Sequence, residues 1–486
     1  MPGVPTGRAC DACRKQKKKC DEQQPTCSRC ARLKVKCIGS GKQRFKFQEE
    51  KRFSPPRPPQ ANVKSESISF NSVITKPIQH IYMHVPLGSL LPSPSNELTN
   101  LTATFIRTIK RSTDLRYNMW WSFGTFLDDV PRRLGSNEAL DRAVDAVSTA
   151  HGDFCTRREA STDALAKYSQ ALHTLRVYLD DQFHAQSSNT LCAVMILLIC
   201  QVFLGPSTQC WSGHAEGAAA ILKARKSLGP RDDFEKKLFL SMRGTVLFEG
   251  VFNDRINLTP EEWTDLVKSD LDSNTPEGQM MICLSQAPDL MRRGREALQT
   301  GSDTTSVSDE IWAIYQNCKT ELRSLQLRAS ENIITELDIS QIPAGKQALV
   351  RTFMYAHYER TYGIGLTISL FFNCLLSGLG AHDGASLFDA HFLAEEVLAL
   401  ADRSAIWRPI GTGYLIIGFS AAWAAATDPL IRARLLVAIN EYGSDMRMRD
   451  SNFLINEVQW TAERLRLGTP LEKEKYLHGV REYIQT

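Results

Sequence analysis

The sequence predicts two unequal parts, a small cysteine-rich module at the N-terminus and a mainly α-helical domain after it. Three observations predict this division. Six of the 13 cysteines lie within residues 10–37. Residues 1–60 hold 16 basic and 5 acidic residues, a net charge of +11, whereas the remainder holds 42 basic and 49 acidic residues, a net charge of −7. From about residue 96 onward, apolar side chains recur at the spacing of amphipathic helices.

The cysteines form two copies of one spacing, C-x(2)-C-x(6)-C. Each cysteine of the second copy lies 17 positions after its counterpart in the first copy. This equal step predicts two metal sites related by an approximate twofold axis. The pattern consists of Cys10, Cys13, Cys20, Cys27, Cys30 and Cys37.

Metal binding is the favoured way to hold this segment together. Its other apolar side chains are too few for a core, and chains this short normally need a staple. Disulfides form in oxidising compartments, and the first residues contain no apolar signal segment. All-thiolate sites suit zinc or iron–sulfur clusters, and the usual ferredoxin spacings are absent. The expectation is therefore two Zn(II) per chain, which six cysteines can satisfy only if two sulfurs bridge.

The segment resembles the fungal zinc binuclear cluster transcription factors. The resemblance is carried by Ala9-Cys10-Asp11-x-Cys13-Arg14, Lys17-x-Lys19-Cys20-Asp21 and Pro25-x-Cys27-x-x-Cys30. It implies that Cys10 and Cys27 are the bridging sulfurs. It also implies that the other four cysteines complete one site per pair, as Cys13 with Cys20 and Cys30 with Cys37.

A rigid unit with this density of positive charge is expected to bind phosphate, and duplex DNA is the expected partner. A lysine can donate to guanine O6 and N7, and the resemblance implies that Lys17 reads a CGG-like triplet. Lys18 is the second candidate for base contact. The family often has a basic residue where this chain has Gln16. The expected phosphate contacts are Arg14, Lys15, Lys19, Lys34 and Lys36.

The expected domain boundaries follow the changes in composition. Residues 8–40 form the zinc module, residues 41–95 a basic arm and linker, and residues 96–486 the helical domain. Residues 41–47 are either an arm along the DNA backbone or a solvated linker. Residues 48–95 hold eight prolines and eight serines, which exclude a sustained dimerising coiled coil.

Helices are expected around 98–109, 140–147, 165–179, 191–204, 211–220, 234–253, 305–330, 345–378, 390–403, 411–426, 428–445 and 452–466. Two uncharged segments, Tyr362–Ala381 and Ile410–Thr427, imitate membrane spans, but their polar residues and small side chains favour a buried position in a helical bundle.

Most of the range 96–486 resembles the second class of fungal-specific transcription factor regulatory domains. The residues that carry this resemblance are Trp211-x-x-His214-x-x-Gly217-Ala218, Trp407-Arg-Pro409, Ala421-Ala-Trp423 and Asp428.

The helical part contains no motif of a known catalytic mechanism, so no enzyme is expected. His214 is expected to pack between helices, and the cysteines from Cys155 to Cys374 to be small buried residues. The expected function is a nuclear, sequence-specific DNA-binding transcription factor that regulates RNA polymerase II transcription. Its expected partners are duplex DNA, the transcription machinery or co-regulators, and a second copy held through the helical domain, with no membrane.

The alternative is a zinc-dependent adaptor that contacts RNA or protein without sequence-specific DNA readout. Readers of single-stranded RNA usually present aromatic stacking surfaces. No aromatic residue lies between Cys10 and Cys37, and this favours duplex DNA. An enzyme with an accessory zinc module is a third and weaker interpretation.

Overall fold

The structure is a computed structural model in which the chain separates into two compact units, Met1–Ser89 and Leu90–Thr486. It describes residues 5–6, 9–23, 25–38, 44–45, 96–110, 113–156, 159–205, 208–225, 232–268, 274–330, 342–381, 383–447 and 451–468. Of the basic arm and linker predicted at residues 41–95, only Arg44 and Phe45 therefore lie within the described residues.

The first unit contains two short helices, α1 (Asp11–Lys15) and α2 (Ser28–Arg32), which lie 17 residues apart. Its flanks form a short antiparallel ladder between β1 (Pro5–Thr6) and β2 (Arg44–Phe45). Pro5 lies opposite Phe45, and Thr6 lies opposite Arg44. This ladder lies outside the predicted range 8–40 and joins the segments on both sides of the cysteines.

In the described residues from 96 onward, the second unit is helical and contains no strand. Its helices are α3 (Glu97–Thr108), α4 (Met119–Phe123), α5 (Glu138–Cys155), α6 (Thr162–Asp180), α7 (Gln182–Ala185), α8 (Ser188–Leu204), α9 (Thr208–Arg225), α10 (Asp233–Phe252), α11 (Pro260–Lys268), α12 (Pro276–Thr300), α13 (Thr305–Ser330), α14 (Ala344–Gly378), α15 (Gly384–Ser404), α16 (Leu415–Ala425), α17 (Pro429–Asp445) and α18 (Ser451–Leu465). The expectation of a mainly helical domain is confirmed.

Local sequence signals explain where several helices begin. The Asn137 side chain accepts a hydrogen bond from the Leu140 N–H at 2.9 Å and caps α5. Ser161 caps α6 in the same way, through the Ala164 N–H at 3.1 Å. Such a cap satisfies one of the free N–H groups of the first turn and contributes about 1 kcal/mol.

The centre of the second unit is built from helices that are apolar on every side. Helix α8 is buried along nearly its whole length and packs against α5, α6 and α9. Helix α16 packs against α14, α15, α17 and α18. A helix without a polar face must be surrounded by protein, so these two helices lie inside the bundle.

Among the described residues, α14 is long and apolar enough to cross a membrane by length and composition. In this fold, 83% of its most apolar 18-residue window is buried, and the helix packs against α13, α15 and α16. The second predicted apolar segment contains α16, whose 11 residues are shorter than the roughly 20 that a span requires. The burial of both segments is typical of core helices in a bundle.

The sequence interpretation assigned no helix between residues 254 and 304, yet α11 and α12 lie there. Pro288 lies in the middle of α12. Because proline has no backbone N–H to donate to the helix, its presence argued against a continuous helix in this segment. The end signals are present, because Thr275 caps the helix, Pro276 occupies its first turn and Gly301 ends it with φ of 65°. Its buried face includes Met280, Cys283, Leu284, Ala287 and Met291.

Candidate metal centre and nucleic-acid interface

The two short helices of the first unit place the six cysteines in equivalent positions. Cys10 and Cys27 immediately precede α1 and α2, and Cys13 and Cys30 lie inside these helices. The third cysteine of each copy, Cys20 or Cys37, follows the turn after its helix. The backbone repeats the 17-residue step as well, because the Lys18 N–H donates to the Cys13 carbonyl at 2.9 Å and the Val35 N–H donates to the Cys30 carbonyl at 3.1 Å.

The first cysteine of each copy accepts hydrogen bonds from the helix that follows it. The Cys13 N–H donates to Cys10 Sγ at 3.5 Å, and the Cys30 N–H donates to Cys27 Sγ at 3.4 Å. These backbone donors lower the pKa of Cys10 to about 6 and also lower the pKa of Cys27. Burial instead raises the pKa of Cys13 to about 11 and raises that of Cys30. These donors favour the thiolate form of Cys10 and Cys27, and the thiolate is the form that binds metal.

The sulfurs form two overlapping groups of four. Cys10, Cys13, Cys20 and Cys27 form the first group, in which all sulfurs lie within 4.8 Å of one another. The second group meets the same limit and consists of Cys10, Cys27, Cys30 and Cys37. The two groups share Cys10 and Cys27, the cysteines to which the family resemblance assigns the bridging role.

The sulfur separations fit tetrahedral zinc and not disulfides. Cys10 Sγ lies 3.8 Å from Cys27 Sγ and 3.6 Å from Cys30 Sγ, and Cys13 Sγ lies 3.8 Å from Cys27 Sγ. A disulfide would bring two sulfurs to about 2.05 Å. Four sulfurs around one Zn(II) at about 2.3 Å are separated by roughly 3.8 Å, the edge of the tetrahedron. The donor set therefore fits two zinc ions with two shared thiolates.

A basic surface surrounds these sulfurs. Of the predicted contact residues, Arg14 has a side chain outside the described residues. The other predicted DNA contacts are all solvent-exposed, namely Lys15, Lys17, Lys18, Lys19, Lys34 and Lys36. The charges therefore face outward from the cysteine cluster, where they can reach a phosphate backbone or a base edge.

Lys17 and Lys34 occupy equivalent turns, and both adopt the left-handed backbone region, with φ of 50° and 48°. In the second turn, the Lys34 N–H donates to the Ala31 carbonyl at 3.2 Å, and this bond closes the end of α2. Glycine usually occupies this position, because a side chain there costs about 1–2 kcal/mol. Both lysines therefore hold a sparsely populated backbone conformation in the turn that follows a cysteine-bearing helix.

Arg29 is not among the predicted DNA contacts, and sequence reasoning named it only as one of the cations beside the cysteine cluster. The structure connects it to both halves of the module. Its Nη2 donates to Gln16 Oε1 at 2.7 Å, and its Nη1 lies 3.9 Å from Cys13 Sγ. Asp21 makes a second link, because its carboxylate oxygens accept from the Ser28 N–H at 3.1 and 3.2 Å. These contacts were not predictable from spacing, because they join residues from different copies of the repeat.

A comparison with known protein families identifies this segment. Residues 8–46 match the fungal Zn(2)-Cys(6) binuclear cluster domain. The N-terminal unit carries a zinc binuclear cluster domain. This domain binds two zinc ions and indicates a DNA-binding domain of the kind found in fungal zinc-cluster transcription factors. No curated protein and no solved structure matches the chain.

The match to the zinc binuclear cluster domain lies within the first unit. The roles of individual residues in the helical unit are therefore described from the structure alone. His214 Nε2 contacts the Tyr168 hydroxyl at 2.9 Å, and Gln201 Nε2 donates to the same hydroxyl at 2.8 Å. Burial lowers the pKa of His214 to about 4, which keeps the ring neutral. This is the environment of a histidine that packs between helices.

Other aromatic and cysteine side chains of the helical unit lie mostly in its interior. Trp121 is buried, and Trp120 is half-buried and stacks on Phe353 with ring centroids 5.4 Å apart. Cys155 is half-buried, and the side chain of Cys210 lies outside the described residues. The other scattered cysteines are buried, namely Cys192, Cys200, Cys283, Cys318 and Cys374.

Proposed function

We propose that this protein is a nuclear transcription factor that reads CGG-like triplets in duplex DNA and regulates RNA polymerase II transcription. The observation that carries this proposal is the pair of sulfur groups that share Cys10 and Cys27, beneath a surface of exposed lysines. In the proposed centre, Cys10 and Cys27 bridge two zinc ions. The remaining ligands are Cys13 and Cys20 for one ion, and Cys30 and Cys37 for the other.

Lys17 is the proposed base-reading residue, with Lys18 beside it. Its left-handed backbone places it in the turn that ends α1, where the chain changes direction and a side chain can project into a groove. Lysine donates well to guanine O6 and N7 in the major groove. The proposed phosphate contacts, which position the module without specifying sequence, are Arg14, Lys15, Lys19, Lys34 and Lys36.

In the proposed domain organisation, residues 8–40 bind DNA, residues 41–95 form a basic arm and linker, and residues 96–486 form the regulatory domain. The large helical bundle, with its continuous apolar core, supports a separate folded domain in the last range. This domain is the proposed site of contact with co-regulators and of homodimerisation. Its similarity to the second class of fungal-specific regulatory domains remains a prediction.

Selection of bound sequences from random duplex DNA tests this function. The zinc-loaded full chain is expected to enrich a triplet with two adjacent guanines. Lys17→Ala should weaken binding to the selected site by about 1–3 kcal/mol and binding to random duplex much less. Lys36→Ala, the matched control, should weaken both alike and lower the salt slope by about one.

Two results would contradict the proposal. Enrichment of no sequence, with RNA or protein bound equally well, would support the adaptor instead. Identical behaviour of the two lysine variants on all sequences would refute the division between base and phosphate contacts.

A further inference from the structure

The contact between Arg29 and Gln16 joins the second half of the zinc module to the turn that holds Lys17. Arg29 lies on α2, and Gln16 directly follows α1. The separation between Arg29 Nη2 and Gln16 Oε1 is 2.7 Å, which is short for a hydrogen bond from a charged donor to a neutral acceptor. The same guanidinium lies 3.9 Å from Cys13 Sγ through Nη1. Two anchors therefore hold the Arg29 side chain in one orientation.

This contact determines which part of the Gln16 amide faces outward. A guanidinium has five N–H donors and no acceptor, so it must engage the amide oxygen and not the amide nitrogen. Gln16 is solvent-exposed, and its Nε2 donates to no acceptor among the described residues. The amide therefore presents its N–H donors to an incoming ligand, beside Lys17, while Arg29 occupies one lone pair of its oxygen.

The two purines differ in what they require from such a group. A glutamine pairs with adenine through both of its amide atoms, since N6 donates to the oxygen while N7 accepts from the nitrogen. Guanine presents two acceptors, O6 and N7, at the same edge. A glutamine whose oxygen already accepts from a guanidinium can still donate to guanine. Its two-bond pair with adenine would have to use the second lone pair of that oxygen, beside a charged donor, and is therefore disfavoured.

We propose that Arg29 is a positioning residue for base recognition, which engages the Gln16 oxygen, directs the amide N–H donors outward and thereby favours guanine over adenine at one position of the site. This inference rests on the proposed DNA-reading function. It also accounts for the departure at position 16, where related domains often have a basic residue. The Arg29-bound amide supplies N–H donors at the place where a lysine or arginine would supply them.

The test is a base-preference measurement on the zinc-loaded full chain, with competitor duplexes that carry each base in turn at every position of the selected site. In Arg29→Met, the freed Gln16 oxygen should accept adenine, so the guanine-to-adenine preference at one position should fall by about tenfold. Arg29→Lys should retain the preference, because lysine also donates to the oxygen. Arg32→Met, the control from the same helix, should leave the base preference at every position unchanged.

Gln16→Met provides a second and independent readout at an exposed residue. It should remove discrimination among the four bases at the same position. If Arg29→Met binds less than two zinc ions per chain, Gln16→Met decides the question alone.

Each outcome either supports or overturns the inference. Unchanged base preferences in Gln16→Met, or in an Arg29→Met protein with two zinc ions, would overturn it while leaving the proposed function intact. A wild-type chain that selects no sequence would instead refute the proposed function itself.

Discussion

The two units of this chain bury different kinds of side chain, and this difference indicates what stabilises each unit. In the first unit, the fully buried side chains described are Cys10, Cys13, Cys27 and Cys30. In the second unit, a continuous core encloses large apolar side chains such as Trp263, Phe371 and Phe419. The helical unit can fold on hydrophobic burial, whereas the N-terminal unit has only thiols at its centre and must obtain its stability from metal.

The same contrast appears in the exposed surfaces. Among the described residues of the first unit, the exposed large apolar side chains are Leu33, Val35 and Ile38, with exposed fractions from 40% to 49%. They do not cluster into a core, because the segment has too few partners for them. In a small module of this kind, the surface side chains are available for ligand contacts, and the metal ions stabilise the fold.

Removal of zinc should produce the largest difference in stability between the two units. A chelator is expected to unfold the N-terminal unit and to abolish DNA binding, since structural zinc in small finger peptides contributes about 10–16 kcal/mol. The thermal transition of the helical unit should not change. Circular dichroism and elemental analysis on the full chain check both expectations, and a helical transition that shifts with the metal would contradict the comparison.

A smaller effect is expected when single cysteines are replaced. Cys10→Ala should reduce the zinc content from two ions towards none, because its sulfur belongs to both groups. Cys13→Ala, the matched control, removes a sulfur from one group and should leave about one ion per chain, following the tetrahedral four-ligand rule. Elemental analysis measures the content, and equal losses in both variants would argue against shared sulfurs.

In the helical unit, the largest local effect is expected where backbone segments touch. A Cβ at Gly378 would lie 2.5 Å from the Arg466 carbonyl oxygen, so Gly378→Ala should destabilise the unit by about 1–3 kcal/mol. The control is Gly152→Ala in α5, where a Cβ would meet no atom within 4 Å. That change should stabilise the unit by about 0.5–1 kcal/mol. Urea unfolding of both variants tests the contrast, and a Gly378→Ala protein as stable as wild type would contradict the packing of α14.

The smallest expected effect concerns Asp254, which joins three parts of the helical unit. Its carboxylate accepts from Arg295 and Arg464 at 2.7–2.9 Å, and these two arginines hold the pKa of Asp254 well below its usual range. The carboxylate is 61% exposed, so Asp254→Asn should cost only about 1 kcal/mol near pH 7. Asp114→Asn, which loses a contact with Arg116 two residues away, is the local control and should cost less.

The pH dependence of this effect has a definite sign. Because the folded-state pKa of Asp254 is lowered, the stabilisation is complete above the unfolded value of about 3.9 and is lost as the pH falls through the folded-state pKa. The difference in unfolding free energy between wild type and Asp254→Asn should therefore be constant from neutral pH to about 5 and narrow below about 4. A difference that grows on acidification would contradict this assignment.

Much of the zinc module could be predicted from the sequence, because its information is local. The repeated C-x(2)-C-x(6)-C spacing, the lack of apolar residues and the basic filling predicted the metal, and the family comparison confirmed the cluster type. The helical content and several caps, such as Asn137 and Ser161, were also predictable, since a cap depends on residues three positions apart.

Other features could not be predicted, because they depend on residues that are distant in sequence. Helix α12 forms in spite of Pro288 because its buried face packs against α11 and α13, and this packing exceeds the local penalty. Gly378, the last residue of α14, lies close to the backbone of Arg466, which directly follows α18. No sequence pattern near either residue indicates this contact.

The sequence by itself determined that residues 10–37 form a two-zinc cluster and that the later residues fold as a helical bundle, since both follow from spacing and periodicity along short stretches of chain. Only the tertiary structure decided that Arg29 binds the Gln16 oxygen, although Gln16 already stood out as a departure from its family. A hydrogen bond between two turns depends on the folded geometry around the cysteines. The orientation of the amide, and with it the proposed choice between guanine and adenine, therefore becomes defined only when the two halves of the module come together.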